Sequence, residues 1–269
     1  MAGQVLLSVN PGQGGIAQVT LDHQGKFNAM SRAMWLQLRS VFEAIQRDTR
    51  LRCVVVRGQG GHFCAGGDIS EYPGFRFDAQ QLQQFHEVEV WGGLNAMLQC
   101  DVPIVAHIEG NCMGAGLEIA SCCDLRFAGD SARFGAPIAR LGFPMAPKEA
   151  MLVGAAVGET TARAMLLAAE VFDAQHMLAQ GFLTRTFPGA QLAEQVHALA
   201  QRVVTLSPQA ARMNKQTLRA SKAPLAPVEC AQAATKNIAI GVVPAYTYAD
   251  SPEHREGIEA FIQKRSAIF

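Results

Sequence analysis

Apolar and polar positions alternate over residues 16–22 (IAQVTLD), the period-two pattern of a strand with one covered face. The runs 53–57 (CVVVR) and 103–108 (PIVAHI) are apolar almost throughout, which suits strands covered on both faces. Between the first two, residues 31–47 (SRAMWLQLRSVFEAIQR) place Met34, Leu38, Val41, Phe42 and Ile45 at helical spacing, with Ser31 positioned to cap the first N–H groups. The pattern predicts an amphipathic helix laid on a sheet.

A strand, a glycine turn and a helix recur at 53–71 and at 103–122, and a further short strand follows at 124–129 (DLRFAG). These read as repeated β-β-α turns. From about residue 148 the pattern becomes mostly helical, with periodic stretches at 148–157, 160–168, 174–180, 190–206 and 208–220, and the tail past 225 is helical in pattern as well. A helical end after a β-rich core, in a chain of 49% apolar residues, predicts that part of the apolar surface closes a subunit interface.

Composition narrows the class. With 17% charged residues, 269 residues suffice for one substantial core. The 23 basic and 23 acidic side chains cancel, which disfavours a nucleic-acid or anionic-membrane partner. Seven cysteines without a disulfide-like spacing, and no export signal or membrane-length apolar run, predict a cytoplasmic protein with reduced thiols.

Two segments carry candidate chemistry. His62-Phe63-Cys64-Ala65-Gly66-Gly67-Asp68-Ile69 follows a buried strand and the turn at 58–61, and its paired glycines let the backbone approach a ligand closely. A helix beginning near Asp68 would leave the Gly67 N–H without an intrahelical acceptor. The second segment, Glu109-Gly110-Asn111-Cys112-Met113-Gly114-Ala115-Gly116-Leu117-Glu118, again leaves an apolar strand for a helix of small residues. Two such turns on neighbouring strands can aim two N–H groups at one developing oxyanion, each contributing a few kcal/mol. Glu118, one turn past Ala115, is placed to serve as acid or base beside the held carbonyl. A plain chain reversal for the glycines and an ordinary first-turn acid for Glu118 are the structural alternatives.

The blocks FCAGGDI, PIVAHIEGNCMGAGLEIASCCDLRFAG and ARFGAPIARLGF, with KFNAM at 26–30 and REGIEAFIQKRSAIF at 255–269, resemble the enoyl-CoA hydratase/isomerase (crotonase) superfamily in order and spacing over nearly the whole chain. The resemblance implies an α/β, crotonase-like (ClpP/crotonase) spiral of β-β-α repeats with a C-terminal helical trimerisation region. Residues 1–200 would form the spiral core with the active site, and residues 201–269 the helical oligomerisation region of a homotrimer or dimer of trimers. It implies an acyl-CoA thioester substrate, with coenzyme A part of that substrate and no other cofactor. By motif position, the oxyanion donors fall on Gly67 and Ala115 and the catalytic carboxylate on Glu118. Thioester and coenzyme A contacts fall on Lys26, Phe27, Ala65, Asp68, Ile69, Gly114, Pro137, Ile138, Phe261 and Lys264.

The chain departs from that pattern at one place. Family hydratases carry a second glutamate where this sequence has Ile138, in Phe134-Gly135-Ala136-Pro137-Ile138. Hydration divides its work between two acid/base groups, whereas a 1,3 proton shift or a lyase reaction through the same enolate needs one. Proton-shift or lyase chemistry is therefore favoured, with a coenzyme A thioester binding protein of little turnover as the rival. Of the groups that could compensate, Glu149 reads as the first-turn acid of a helix after Pro147, His107 as a hydrogen-bonded core histidine, and Arg140 as a rim salt bridge or a contact for a polar acyl group. Glu87 and Glu89 read as a solvated helix face in the segment 79–98, which the resemblance places along the acyl pocket. The glycine runs at 12–15 and 58–61 lack the features of a P-loop or dinucleotide fingerprint, and no zinc spacing or Gly-x-Ser-x-Gly elbow is present.

Overall fold

The computed structural model of the chain describes residues 2–9, 14–220 and 251–269. Its first half runs β1 (Gln4–Val9), β2 (Ile16–Asp22), α1 (Arg32–Arg47), β3 (Cys53–Gly58), α2 (Ala79–Gln84), α3 (Trp91–Gln99), β4 (Ile104–Ile108), β5 (Asn111–Met113) and α4 (Ala115–Ser121). Then come β6 (Leu125–Gly129), β7 (Arg133–Gly135), α5 (Pro147–Val157), α6 (Glu159–Leu167), β8 (Val171–Asp173), α7 (Ala174–Ala179), β9 (Arg185–Phe187), α8 (Gly189–Val204), α9 (Pro208–Ala220) and α10 (Pro252–Ile262). No described helix is long and apolar enough to cross a membrane. The predicted tail helix past 225 falls outside the described residues as far as 250 and meets α10 beyond them.

Six strands form the main sheet in the order β1-β2-β3-β4-β6-β9. The β1–β2 pair is antiparallel and every later pair is parallel. Both faces are covered, which explains the near-continuous apolar runs of β3 and β4. Val54, Val56, Ile104 and Ala106 join the large core under α1, while Cys53, Val55 and Val105 face Leu192, Val196 and Leu199 of α8. Leu192 is fully buried there, and truncating such a side chain to alanine costs about 2–5 kcal/mol. Helix α1 forms as its periodicity predicts, with the Ser31 hydroxyl accepting from the Met34 N–H at 3.3 Å.

A smaller sheet, β5-β7-β8, lies off the main one. It is continued by single parallel bridges between Cys64 and Cys112 and between Met30 and Gly67. Strands β2, β3, β4 and β6 thus each hand the chain to a second layer before a helix returns it, which is the predicted β-β-α spiral.

Because β3 and β4 are parallel neighbours, with Arg57 opposite His107, the loops that follow them emerge at the same sheet edge. Those loops are the two glycine segments. Helix α9 has no buried residue and is held by polar bonds at the strand ends, including Arg212 to the Leu51 carbonyl at 3.0 Å and Arg219 to Asp101 at 2.8 Å.

Candidate active site

The two glycine loops are stitched together by backbone bonds. The Cys64 N–H donates to the Asn111 carbonyl at 2.9 Å, and the Met113 N–H donates to the Cys64 carbonyl at 2.9 Å. Their approach is so close that a Cβ on Gly116 would lie 2.6 Å from the Cys64 carbonyl oxygen, and one on Gly114 3.5 Å from the Gly66 Cα. Gly114, at φ 46° and ψ −112°, turns the chain from β5 into α4 in a conformation that side-chain-bearing residues avoid.

Gly67 is freed by a bridge rather than by a helix. Its neighbours bond to the same residue on one side: the Met30 N–H donates to the Gly66 carbonyl and the Asp68 N–H to the Met30 carbonyl, each at 2.8 Å. In extended chain successive N–H groups point to opposite sides, so the Gly67 N–H is turned away from Met30. The helix expected at Asp68 is a short 3-10 turn, Ile69–Gly74, capped by the Asp68 carboxylate. Ala115 is the first residue of α4, and its N–H likewise finds no acceptor among the described residues.

Both residues line one cavity of about 310 Å³, together with Ala65, Ile69, Gly114, Glu118, Pro137 and Ile138. Glu118 follows Ala115 by three residues and so shares its helix face. Its side chain is buried, and its carboxyl has no hydrogen-bond partner among the described residues. Burial, and then the charge of Glu149, push that carboxyl up to about 8. Two unbonded N–H groups beside an unpartnered, proton-holding carboxyl can bind a developing oxyanion and move a proton at the adjacent carbon.

Glu149 is not an ordinary first-turn acid. It is 2% exposed, on the first turn of α5, a helix packed on α4. Its Oε1 lies 3.1 Å from His86 Nδ1, and His86 Nε2 lies 3.4 Å from Arg76 Nη1. An arginine only donates, so the tautomer satisfying both contacts keeps its proton on Nδ1 and donates it to Glu149. His86 and Arg76 line the cavity. Sequence spacing offers no signal for this chain of three, since its members come from three separate elements.

Glu89 also departs from expectation. Residues Phe85–Val90 form a π-helical segment between α2 and α3, and within it Glu89 is buried in an ion pair with Arg32, whose Nε donates to Oε2 at 2.8 Å. Glu87 stays half-exposed and pairs with Lys148. His107 is buried as expected, but its Nε2 makes no hydrogen bond among the described residues; the Glu109 carboxylate stands 3.7 Å away. Arg140 lines the cavity mouth and forms no salt bridge among the described residues.

The remaining predicted contacts divide. Lys26 donates to Asp68 at 2.7 Å and to the Ser70 hydroxyl at 2.8 Å, so its ammonium ties the early loop to the first glycine segment. Phe27 is exposed, edge-on to His62. Lys264 follows α10, exposed and away from the cavity of its own chain, and the Phe261 side chain lies outside the described residues.

The family model described as enoyl-CoA hydratase/isomerase matches residues 11–269. The chain is 31% identical over 252 residues to the 2,3-dehydroadipyl-CoA hydratase of Escherichia coli K12, a match covering 93% of each. It is 29% identical over 266 residues to a rat protein, the mitochondrial enoyl-CoA hydratase domain-containing protein 3, covering 96% of this chain and 82% of the relative. Among solved structures, an enoyl-CoA hydratase/carnithine racemase from Magnetospirillum magneticum superposes with a TM-score of 0.89 at 31% identity, covering 98% of this chain and 94% of that one.

Proposed function

We propose that this chain, which belongs to the enoyl-CoA hydratase/isomerase family, binds an acyl-CoA thioester and carries it through an enolate held between the N–H groups of Gly67 and Ala115. The observation that carries this reading is the Glu118 carboxyl, buried in the same cavity without a protein partner. Thioester carbonyl and α-carbon are adjacent atoms, so an oxygen held by the two N–H groups brings the α-proton within reach of a carboxyl one helical turn away.

A base acting at the α-carbon gains from a raised pKa, since proton affinity is what the step requires. With Ile138 in the third block, Glu118 removes the proton beside the carbonyl and returns it further along the chain, or the enolate expels a leaving group. Isomerase or lyase chemistry follows, and the reaction draws on the coenzyme A of the substrate alone.

One observation favours a second reading. His86 lines the cavity with Glu149 behind it, an arrangement in which Nε2, on releasing its 3.4 Å contact with Arg76, can take a proton from water while Glu149 stabilises the resulting cation. Glu118, holding its proton, would then protonate the α-carbon, and the net reaction is hydration.

Assembly as a homotrimer or dimer of trimers is supported by the exposed apolar side chains of Leu218, Ile258 and Ile262 on α9 and α10. Sedimentation analysis checks it. A cytoplasmic location is supported by six free, buried cysteines among the described residues.

The test is a panel of 2-enoyl, 3-enoyl and malonyl-type thioesters followed by the enoyl ultraviolet band and mass spectrometry. Interconversion of the enoyl isomers supports the first reading and water addition the second. Tight binding with no turnover of any member would instead establish a binding protein, and an unchanged rate in Glu118→Gln would remove Glu118 from the chemistry.

A further inference from the structure

The cavity wall carries a cation as well as Glu118. Arg76 follows the 3-10 turn that begins two residues after Gly67, and its guanidinium lies in the corner made by two rings set edge to face, 3.6 Å from the centroid of Phe143 and 4.7 Å from that of Tyr72. The two rings cover part of the guanidinium but offer its in-plane N–H groups no oxygen or nitrogen acceptor. Of its five donors, only one has a side-chain acceptor among the described residues, His86 Nε2 at 3.4 Å.

Three other partly buried arginines each have oxygen acceptors. Arg32 pairs with Glu89, Arg219 with Asp101, and Arg126 donates to the carbonyls of Phe182, Ala120 and Cys123. Arg76 has no carboxylate partner among the described residues, and burial lowers the affinity of its guanidinium for the proton it carries. Arg140, the other cation of the cavity wall, is also without a carboxylate and donates only to the Ala169 carbonyl at 3.3 Å.

Tyr72 links the cation to the oxyanion donors. Its ring centroid lies 4.7 Å from the Arg76 guanidinium, and Arg76, Tyr72 and Glu118 all line the one cavity. The Tyr72 hydroxyl stands against Gly67, where an added Cβ would meet it at 2.2 Å. The path from the oxyanion donors therefore leads past Tyr72 to the guanidinium, between apolar walls that include Phe85 and Met145.

We infer that Arg76 is a recognition site for a carboxylate at the far end of the acyl chain, so that the preferred substrates are coenzyme A thioesters of dicarboxylic acids. This rests on the reading of the cavity as an acyl-CoA site. A planar fork of unused N–H groups matches a carboxylate in bidentate geometry, and an apolar passage that leads to a cation without a carboxylate rejects neither a methylene chain nor its terminal anion. A methyl-terminated chain would leave the guanidinium desolvated and unpaired.

Saturated thioesters test recognition without turnover. Glutaryl-, adipoyl- and pimeloyl-CoA are compared by calorimetry with valeryl-, hexanoyl- and heptanoyl-CoA on the full chain. At least one dicarboxylic member is expected to bind about ten- to a hundred-fold more tightly than its neutral counterpart. Arg76→Gln should erase that preference with the neutral Kd unchanged, and Arg76→Lys should keep part of it.

Equal or better binding of the neutral members to the unsubstituted chain would overturn the inference. So would an equal loss for both series in Arg76→Gln with its melting temperature unchanged, which would make the ring contacts a purely structural clamp. Failure of every thioester to bind would instead sink the acyl-CoA reading itself.

Discussion

Glu118 and Glu149 lie on the first turns of α4 and α5, two helices packed together, and the charge of Glu149 adds to burial in pushing the Glu118 carboxyl up to about 8. A carboxyl of that kind is mostly protonated at neutral pH and becomes a strong base when it ionises. Its titration therefore reports on both the reaction and the fold.

The pH dependence of kcat/KM separates the two proposed reactions. If Glu118 removes the α-proton, kcat/KM rises with pH through an inflection near about 8, because only the ionised form can accept. If Glu118 donates the proton in hydration, kcat/KM falls above that point. A profile flat through the window would deny Glu118 either role.

Stability carries the same signature with a fixed sign. The native chain holds the Glu118 proton from the ordinary value of 4.5 up to about 8, whereas the unfolded chain has released it. Stability from this group is therefore present below pH about 4.5 and is lost as pH rises through about 8. Thermal melts of the unsubstituted chain and Glu118→Gln across that range should diverge, with the glutamine variant relatively more stable at the alkaline end. Parallel curves would show that ionising Glu118 costs nothing.

Substitutions at Glu149 and His86 divide charge from chemistry. Glu149→Gln removes the neighbouring charge that acts on Glu118 but not its burial, so the kinetic inflection should move down without reaching 4.5. His86→Ala should abolish water addition while sparing exchange of the α-proton with deuterium from solvent, read by mass spectrometry. Glu118→Gln should lower that exchange by about a hundred- to ten-thousand-fold. Equal damage to both readouts in His86→Ala would assign the histidine to scaffolding alone.

Gly116→Ala probes the contact that brings the N–H donors together. The new Cβ would stand 2.6 Å from the Cys64 carbonyl oxygen and 3.0 Å from the Cys64 Cβ, against backbone that cannot swing aside. Overpacking of this kind costs about 1–3 kcal/mol, and it should lower the midpoint of denaturant unfolding together with kcat. A variant as stable and as active as the original would mean that the two loops are free to separate.

Much of the scaffold was readable one residue type at a time. The boundaries of β2, β3 and α1, the Ser31 cap and the two glycine turns all follow from local rules, since period-two alternation, period-3.6 spacing and glycine's access to positive φ act over a few residues. The parallel β3–β4 pair then delivers both turns to one edge. Glu89 was misread for an equally local reason: the π-helical segment Phe85–Val90 rotates side chains away from 3.6-residue spacing and turns that carboxylate inward to Arg32.

By itself the sequence determined the fold class, the two glycine turns, Glu118 and the loss of a carboxylate at Ile138, because each is a property of a short segment or of its resemblance to a known block. Only the tertiary structure decided that Gly67 is freed by its bridge to Met30 and that Glu149 stands buried beside Glu118. It alone placed His86 and Arg76 in the same cavity. Those relationships depend on how α5 packs on α4 and on how the 69–90 segment lines the cavity, and a desolvated charge is defined by every element that excludes water from it.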